Sequence, residues 1–168
     1  MKRTPLKRGR LVRKGIKPHI LRKKRTTGRI KPNKTKVKSI SKLIKECDRL
    51  FSIQIRTWGD FEREGESWNS CFTCQRQYPI KKLHNGHYLS RYYKAARWHE
   101  DNARPQCMMC NMWKRGDPVV FRRNLITEIG EARVLAVEAL RDAPIKLSRE
   151  FLEAKIKELS TTPPIDTL

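Results

Sequence analysis

The chain has 168 residues and 38% apolar residues, which predicts one domain with a modest core and exposed extensions. Its formal net charge of +22 is concentrated near the N-terminus, because residues 1–45 hold 19 of the 39 Lys and Arg and none of the 17 Asp and Glu. No segment approaches the roughly 18 consecutive apolar residues of a membrane span, and no apolar stretch of a secretion signal follows the basic start. We therefore expect neither a membrane protein nor a secreted one.

The first 36 residues read as a basic disordered arm, in which Pro, Gly, Lys and Arg recur. Such a segment repels itself and stays extended until it meets a polyanion. Nucleic acid is the favoured polyanion, because each neutralised phosphate releases counterions. An anionic membrane is disfavoured, since the arm lacks a regular apolar face. The DNA contacts expected from this arm include Lys23, Lys24 and Arg25.

Residues 37–58 carry an apolar stripe at helical spacing, and Gly59 is the expected stop. The stripe consists of Ile40, Leu43, Ile44, Cys47, Leu50 and Phe51. Cys47 lies on it, so we interpret this residue as a buried thiol and not as a metal ligand. The stripe is also the candidate surface for a homodimer, with packing inside the domain as the alternative.

Two further helical regions are predicted in the C-terminal part. One begins at Asp117 as N-cap, with Pro118 in its first turn, and runs to about residue 142 with a break at Gly130. The other lies within residues 143–159 and is capped by Ser148. The domain is therefore expected over residues 37–160, followed by a flexible tail at 161–168.

Four of the five cysteines form two Cys-x-x-Cys pairs, Cys71 with Cys74 and Cys107 with Cys110. In a reducing compartment this spacing indicates metal binding and not disulfides. Each pair supplies two thiolates to one tetrahedral ion, and zinc suits four sulfurs. The alternative is four reduced buried cysteines, which would not require the repeated spacing. We therefore predict a structural Zn²⁺ that holds the two ends of the segment at 75–106 together.

The segment between the pairs and the residue after them carry the candidate chemistry. A thiolate cluster fixes the backbone at Cys110 and so aims the next side chain, Asn111, whose amide oxygen suits a hard cation such as Mg²⁺. His87 is the candidate base that activates water, because imidazole titrates near neutral pH. His84 is a candidate second ligand of the catalytic cation. Asn102 either orients the base or braces the loop.

Several of these residues have structural alternatives. Asn85-Gly86 is a strong signal for a type I′ hairpin turn, so that the two flanking histidines would serve the turn. The aromatic residues Trp98, Trp113, Tyr92 and Tyr93 either stack on bases or, as the preferred interpretation, pack a small zinc core. Candidate phosphate contacts are Arg91, Lys114 and Arg115.

The order of these motifs resembles the HNH (ββα-metal) nucleases and, more closely, the NinG (Rap) recombination proteins of lambda-like phages. The resemblance covers about residues 40–160 and rests on four stretches: CFTC at 71–74, GHY at 86–88, DNARPQCMMCN at 101–111 and KRG at 114–116. The cysteines followed at once by Asn also resemble phage endonuclease VII, which implies Asn111 as metal ligand and His87 as general base. The chain departs from NinG-like sequences at His84, where they carry Asp, and imidazole shifts the expected cation from Mg²⁺ toward Mn²⁺.

The fold expected is α+β, with a zinc-pinned HNH-like ββα-metal core flanked by helices. The resemblance implies a metal-dependent endonuclease acting on branched DNA during phage recombination, in the cytoplasm of a bacterial host. A symmetric junction would favour a homodimer. Two other classes remain open: a zinc-scaffolded DNA-binding factor without catalysis, and a basic RNA-binding protein.

Overall fold

The computed structural model of the protein describes residues 37–161, which form an α+β structure of helices and small antiparallel sheets. The helices within this range are α1 (Ile40–Thr57), α2 (Pro118–Ile129), α3 (Glu131–Ala139) and α4 (Arg149–Thr161). The strands are β1 (Phe61–Arg63), β2 (Glu66–Ser70), β3 (Gln77–Pro79), β4 (Leu83–His87) and β5 (Ala103–Cys107). The predicted arm at 1–36, with Lys23, Lys24 and Arg25, and the tail at 162–168 lie outside the described residues.

The strands form a three-stranded antiparallel sheet, in the order β1-β2-β3, and a separate antiparallel pair of β4 with β5. A 3₁₀ turn, Ile80–Lys82, leads from the first sheet into β4. In the β4–β5 pair His84 lies opposite Gln106 and His87 opposite Ala103. The pair therefore places two of the predicted site residues on one short strand.

The helix predicted at 37–58 is α1, and its apolar stripe packs inside the domain. Leu43, Cys47 and Phe51 are buried in one cluster with Leu152 and Leu159 of α4. Cys47 is fully buried, as expected, and its thiol donates to the Leu152 carbonyl oxygen at 3.7 Å. Because the stripe is used internally, it gives no support for a dimer.

The helical region predicted from residue 117 is two helices, and Gly130 separates them. Gly130 has a φ of +82°, a left-handed conformation that glycine adopts without strain, and its N–H bonds the Ile126 carbonyl. Helix α2 begins as predicted, with Asp117 at the N-cap position and Pro118 in the first turn, but the Asp117 side chain does not cap it. Asp117 itself has a φ of +49°, and its side chain makes no cap hydrogen bond, facing the Lys114 ammonium at 3.8 Å instead.

The last helix begins as predicted. The Ser148 hydroxyl accepts the Phe151 N–H at 3.3 Å, one turn into α4. Leu152 and Leu159 are the buried members of its apolar edge. None of the helices between residues 37 and 161 combines the length and the apolar character that crossing a membrane requires.

Candidate metal centre and adjoining cavity

The two cysteine pairs come together at one point. Cys71 and Cys74 lie in the turn after β2, Cys107 ends β5, and Cys110 lies in a π-helical turn, Met109–Trp113. The four sulfur atoms all lie within 4.8 Å of one another, and those of Cys74 and Cys107 are 3.9 Å apart. Four sulfurs at about 2.3 Å around one tetrahedral zinc are about 3.8 Å apart. The cluster therefore has the size of a zinc site, as predicted.

The protonation of these thiols also fits a cation. Burial raises the pKa of Cys71, and burial together with the neighbouring thiols raises that of Cys110, whereas hydrogen bonds from the Cys110 backbone and neighbouring side chains outweigh burial and lower the pKa of Cys107 to about 7. Four thiolates would repel one another in this space without a positive charge. A divalent ion removes that cost, because metal ligation displaces the thiol protons.

Asn111, the residue after Cys110, lies against the other predicted ligand of the catalytic cation. Cys110 is buried, whereas Asn111 is half-exposed and its Nδ2 lies 3.2 Å from His84 Nδ1. Rotation of the amide by 180° would bring Oδ1 to the same position. The two predicted ligands of the catalytic cation, from strand β4 and from the 109–113 turn, are therefore in contact.

The prediction that Asn85-Gly86 forms a hairpin turn was wrong, because both residues lie inside β4. Gly86 pairs with Arg104 across the β4–β5 pair. A Cβ at Gly86 would collide with the side chain of Gln106. Gln106 is fully buried and donates to the Gly116 carbonyl at 2.8 Å, so the glycine makes room for a side chain that ties β5 to the second cysteine turn. The glycine is required for close approach and not for a turn.

His87, the predicted base, is held by one ring nitrogen. Its Nε2 lies 3.1 Å from the Arg97 carbonyl oxygen, and its ring packs against Phe51 of α1 with 6.1 Å between centroids. Since a carbonyl only accepts, Nε2 carries the hydrogen and the lone pair is on Nδ1. Burial lowers the pKa of His87 below 6.5, although the backbone of Arg97 and that of Asn85 oppose this shift. A neutral imidazole at neutral pH is the form that accepts a proton.

His84, His87 and Asn111 line one cavity of about 420 Å³. Arg91, one of the predicted phosphate contacts, lines it as well. The other residues of its wall are Asp48, Ser52, Arg56, Lys81, Leu83 and Asn85. A larger cavity of about 520 Å³ lies along α2 beside Tyr88 and Val119, but its lining contains no histidine and no cysteine. The smaller cavity is therefore the candidate site.

Asp48 is the cavity residue that the sequence did not reveal. Its carboxylate accepts from Arg97 Nε at 2.9 Å and Nη2 at 2.6 Å, and from Trp98 Nε1 at 2.9 Å. Burial alone would raise the pKa of Asp48, but the Arg97 guanidinium holds it below its ordinary value. The available signal was weak: Asp48, Ser52 and Arg56 recur every four residues and form a polar stripe on α1.

Asn102 is fully buried, and its amide serves the loop. Oδ1 accepts the Leu89 N–H at 2.7 Å, while Nδ2 donates to the carbonyls of Leu89 at 3.0 Å and Ala96 at 2.9 Å. It does not line the cavity. Of the two roles predicted, bracing the loop is therefore the one that its contacts favour, and it acts on the site by positioning.

The remaining predicted contacts are exposed. Lys114 and Arg115 follow the 109–113 turn directly and do not line the cavity. Trp98 is buried, with 7% of its surface exposed, but it packs in the core between α1 and α4 and not against the cysteines. The expectation that Trp113 and Tyr92 pack the zinc core was wrong, because they are 73% and 83% exposed.

The described residues thus form a small α+β protein with a four-cysteine metal site and a polar cavity beside it. A family described as Bacteriophage Lambda NinG protein matches residues 3–162. The chain therefore belongs to the NinG family of phage recombination-related proteins. Neither a curated protein nor a solved structure matches the chain significantly.

Proposed function

We propose that the protein is a divalent-metal-dependent endonuclease that hydrolyses phosphodiester bonds in branched DNA. The observation that carries the proposal is the meeting of His84, His87 and Asn111 in one cavity beside the four cysteines. Membership of a recombination-related phage family favours branched DNA as the substrate. The ββα-metal interpretation belongs to the same proposal: β4 and β5 supply the two strands, and the segment that follows Cys107 supplies the helical part.

His87 acts as the general base. With Nε2 held by the Arg97 carbonyl, Nδ1 is the atom that takes a proton from the attacking water. The hydroxide formed attacks phosphorus in line with the leaving oxygen. The bond from phosphorus to the 3′ oxygen breaks, so the products carry a 5′-phosphate and a 3′-hydroxyl. Arg56, Lys81 and Arg91 provide positive charge for the phosphates on either side of the bond.

The donor atoms in the cavity fit a divalent cation. Asn111 and His84 are already adjacent, and the Oδ1 of Asn85 is buried without a hydrogen-bond partner among the described residues. Asn111 and His84 would hold the ion. Bound there, Mg²⁺ or Mn²⁺ would supply charge neutralisation at the scissile phosphate and the leaving oxygen. Imidazole among the donors favours Mn²⁺.

A cleavage assay tests the proposal. The full-length protein is mixed with a labelled four-way junction, a flap, single-stranded DNA and a linear duplex, in Mg²⁺ or Mn²⁺ or without added divalent ion. We expect metal-dependent cutting that prefers a branched substrate. His87→Ala and the more conservative His87→Gln should both lower the rate by at least about 100-fold, the usual worth of a general base.

The matched control is His99→Ala. His99 lies outside the cavity, and its Nδ1 accepts the Asp101 N–H at 3.2 Å. It should cut at close to the wild-type rate. Zinc content and circular dichroism establish that each variant is folded. If folded, zinc-loaded His87→Gln cut DNA at the wild-type rate, the assignment of His87 as the general base would be wrong.

The second candidate is a zinc-scaffolded DNA-binding recombination factor without catalysis. One observation favours it: within the described part of the chain, the carboxylate that lines the cavity is that of Asp48, and Arg97 and Trp98 occupy it. Tight junction binding with no cutting in either metal would select this function. His84→Asp separates the two further, because it adds a free carboxylate; if the protein is a nuclease, it should lower the Mg²⁺ concentration needed for cutting.

A further inference from the structure

An exposed apolar ridge lies beside the candidate site. Met108, Met109, Met112 and Trp113 are 53%, 56%, 61% and 73% exposed. Four large apolar side chains within six consecutive residues are an unusual concentration for the surface of a monomer. We call these four residues the Met-Trp ridge.

The cysteine cluster creates this ridge. Cys107 and Cys110 turn inward toward the other two sulfurs, so the residues between and after them turn outward. The turn is closed by hydrogen bonds from the Lys114 N–H to the Met109 carbonyl at 3.0 Å and from the Gly116 N–H to the Cys110 carbonyl at 2.9 Å. Because the buried cysteines and these hydrogen bonds fix the backbone, the ridge lies on an ordered turn.

The ridge is continuous with the cavity. Asn111 lies within the same turn and lines the cavity. On the other side, Met108 and Met109 line a groove of about 380 Å³ together with His84, which also lines the cavity. The ridge therefore borders a groove that shares His84 with the candidate site.

The surroundings of the ridge are basic. Lys82 lines the same groove, and Lys114 and Arg115 are exposed directly after Trp113. A symmetric dimer through this surface would set each patch against its own copy, and these cations would face one another. An apolar surface with a basic rim instead suits a polyanion that offers flat apolar faces, which is the chemistry of DNA with unstacked bases.

We propose that the Met-Trp ridge is a wedge that enters DNA where the duplex is already open, as at a branch point. Trp113 stacks on an exposed base, and the methionines fill the gap between separated base pairs. In a linear duplex the same insertion must first unstack a base step, which costs a few kcal/mol. The ridge therefore favours branched over linear DNA. This inference rests on the proposed function but concerns binding and not cutting.

Binding of the full-length protein to a fluorescein-labelled four-way junction and to a linear duplex of equal length tests the wedge. Both are measured by anisotropy without added divalent cation. The double variant Trp113→Ala/Met112→Ala should bind the junction at least about tenfold more weakly, while its affinity for the duplex changes less than about twofold. The single change Trp113→Phe retains an aromatic face and should keep most of the junction preference.

Leu135→Ala is the matched control, because Leu135 is an apolar side chain of α3 that is 51% exposed and lies outside the ridge. It should leave both affinities unchanged. Lys114→Ala should weaken binding to both DNAs by a similar factor, as a phosphate contact does. A 2-aminopurine placed at the branch point should change its fluorescence with the wild type and much less with the double variant.

Equal weakening on the two DNAs, or none, would overturn the wedge, and so would a loss of dimer mass by light scattering in the double variant. Zinc content checks that the variants are folded, and Trp113→Phe remains informative if the double variant is not. The two proposals fail separately. If junction binding depends on the ridge but no DNA is cut in Mg²⁺ or Mn²⁺, the proposed nuclease activity is wrong and the wedge stands. If the double variant cuts DNA and still prefers the junction over the duplex as strongly as the wild type, only the wedge is wrong.

Discussion

The cysteine-pinned segment at 71–116 and the layer formed by α1 and α4 are stabilised by different interactions. Around the four cysteines, the buried aliphatic side chain is Leu83, with Tyr78 packed at the edge of the cluster. Between α1 and α4 the core is built from large side chains such as Phe51, Ile55 and Leu152. We expect metal ligation by the thiols to stabilise the residues around the four cysteines, whereas the layer of α1 and α4, in which Trp98 and Ala103 are also buried, depends on apolar burial. The cavity lies where they meet, since Asp48 comes from the helical layer and Asn111 from the pinned segment.

Removal of the metal should separate the two regions most strongly. Apparent binding energies of structural zinc are about 10–16 kcal/mol, whereas Leu83 is the buried aliphatic side chain packed with the four cysteines. With a strong zinc chelator, we expect amide hydrogen exchange to become fast in 71–116, while amides of α1 and α4 keep more of their protection. Cys110→Ser should reproduce the pattern. Uniform loss of protection across both regions would show that they form one cooperative unit.

Leu152→Ala should have the next largest effect on stability, and it should act on the layer formed by α1 and α4. Leu152 is fully buried between α1 and α4, so its truncation leaves a cavity and should lower the free energy of unfolding by about 4 kcal/mol. Urea denaturation measures this loss, and the zinc stoichiometry of the folded variant should stay at that of the wild type. Leu135→Ala, at the surface of α3, is expected to change stability by less than about 0.5 kcal/mol. Loss of zinc from folded Leu152→Ala would contradict the separation of the two regions.

Asn102→Ala tests the loop at residues 88–99, which lies within the pinned segment but is not in contact with the four cysteines. The substitution leaves the Leu89 N–H and the carbonyls of Leu89 and Ala96 without their partner. Each unsatisfied buried group costs roughly 1–3 kcal/mol, so we expect a loss of about 3 kcal/mol and faster exchange in residues 88–99. Zinc binding should persist. Unchanged exchange in this loop would mean that Asn102 is not its brace.

The two regions also differed in how well the sequence predicted them. The stripe of α1, the break at Gly130 and the Ser148 cap followed from local spacing, because helical periodicity and caps are properties of neighbouring residues. The metal site followed from two repeated Cys-x-x-Cys pairs. Both signals are short-range, and each proved sufficient for the element that it describes.

What failed depended on contacts across the fold. Gly86 was interpreted as a turn residue, but its lack of a side chain serves Gln106 on the opposite strand. Asp48 gave only a weak signal, since one acid on a helix is ordinary until Arg97 and Trp98 are brought to it. Trp113 was expected in the core, but it is exposed on the turn in which Cys110 faces the other cysteines. The local pattern carries no information about such long-range partners.

The smallest effect we predict lies at the boundary between the regions, at His87. Because its folded pKa is below the ordinary 6.5, the unfolded chain takes up the proton first as the pH falls. The contribution of His87 to stability is therefore complete above about pH 6.5 and is lost progressively below it. His87→Gln removes this titration but leaves the pH dependence of zinc binding in place. Denaturation curves between pH 7.5 and pH 5.5 should thus show a steeper loss of stability in the wild type than in His87→Gln. Parallel curves would mean that the His87 imidazole is as well solvated in the folded protein as in the unfolded chain, and the packing of its ring against Phe51 would then not exclude water from the site.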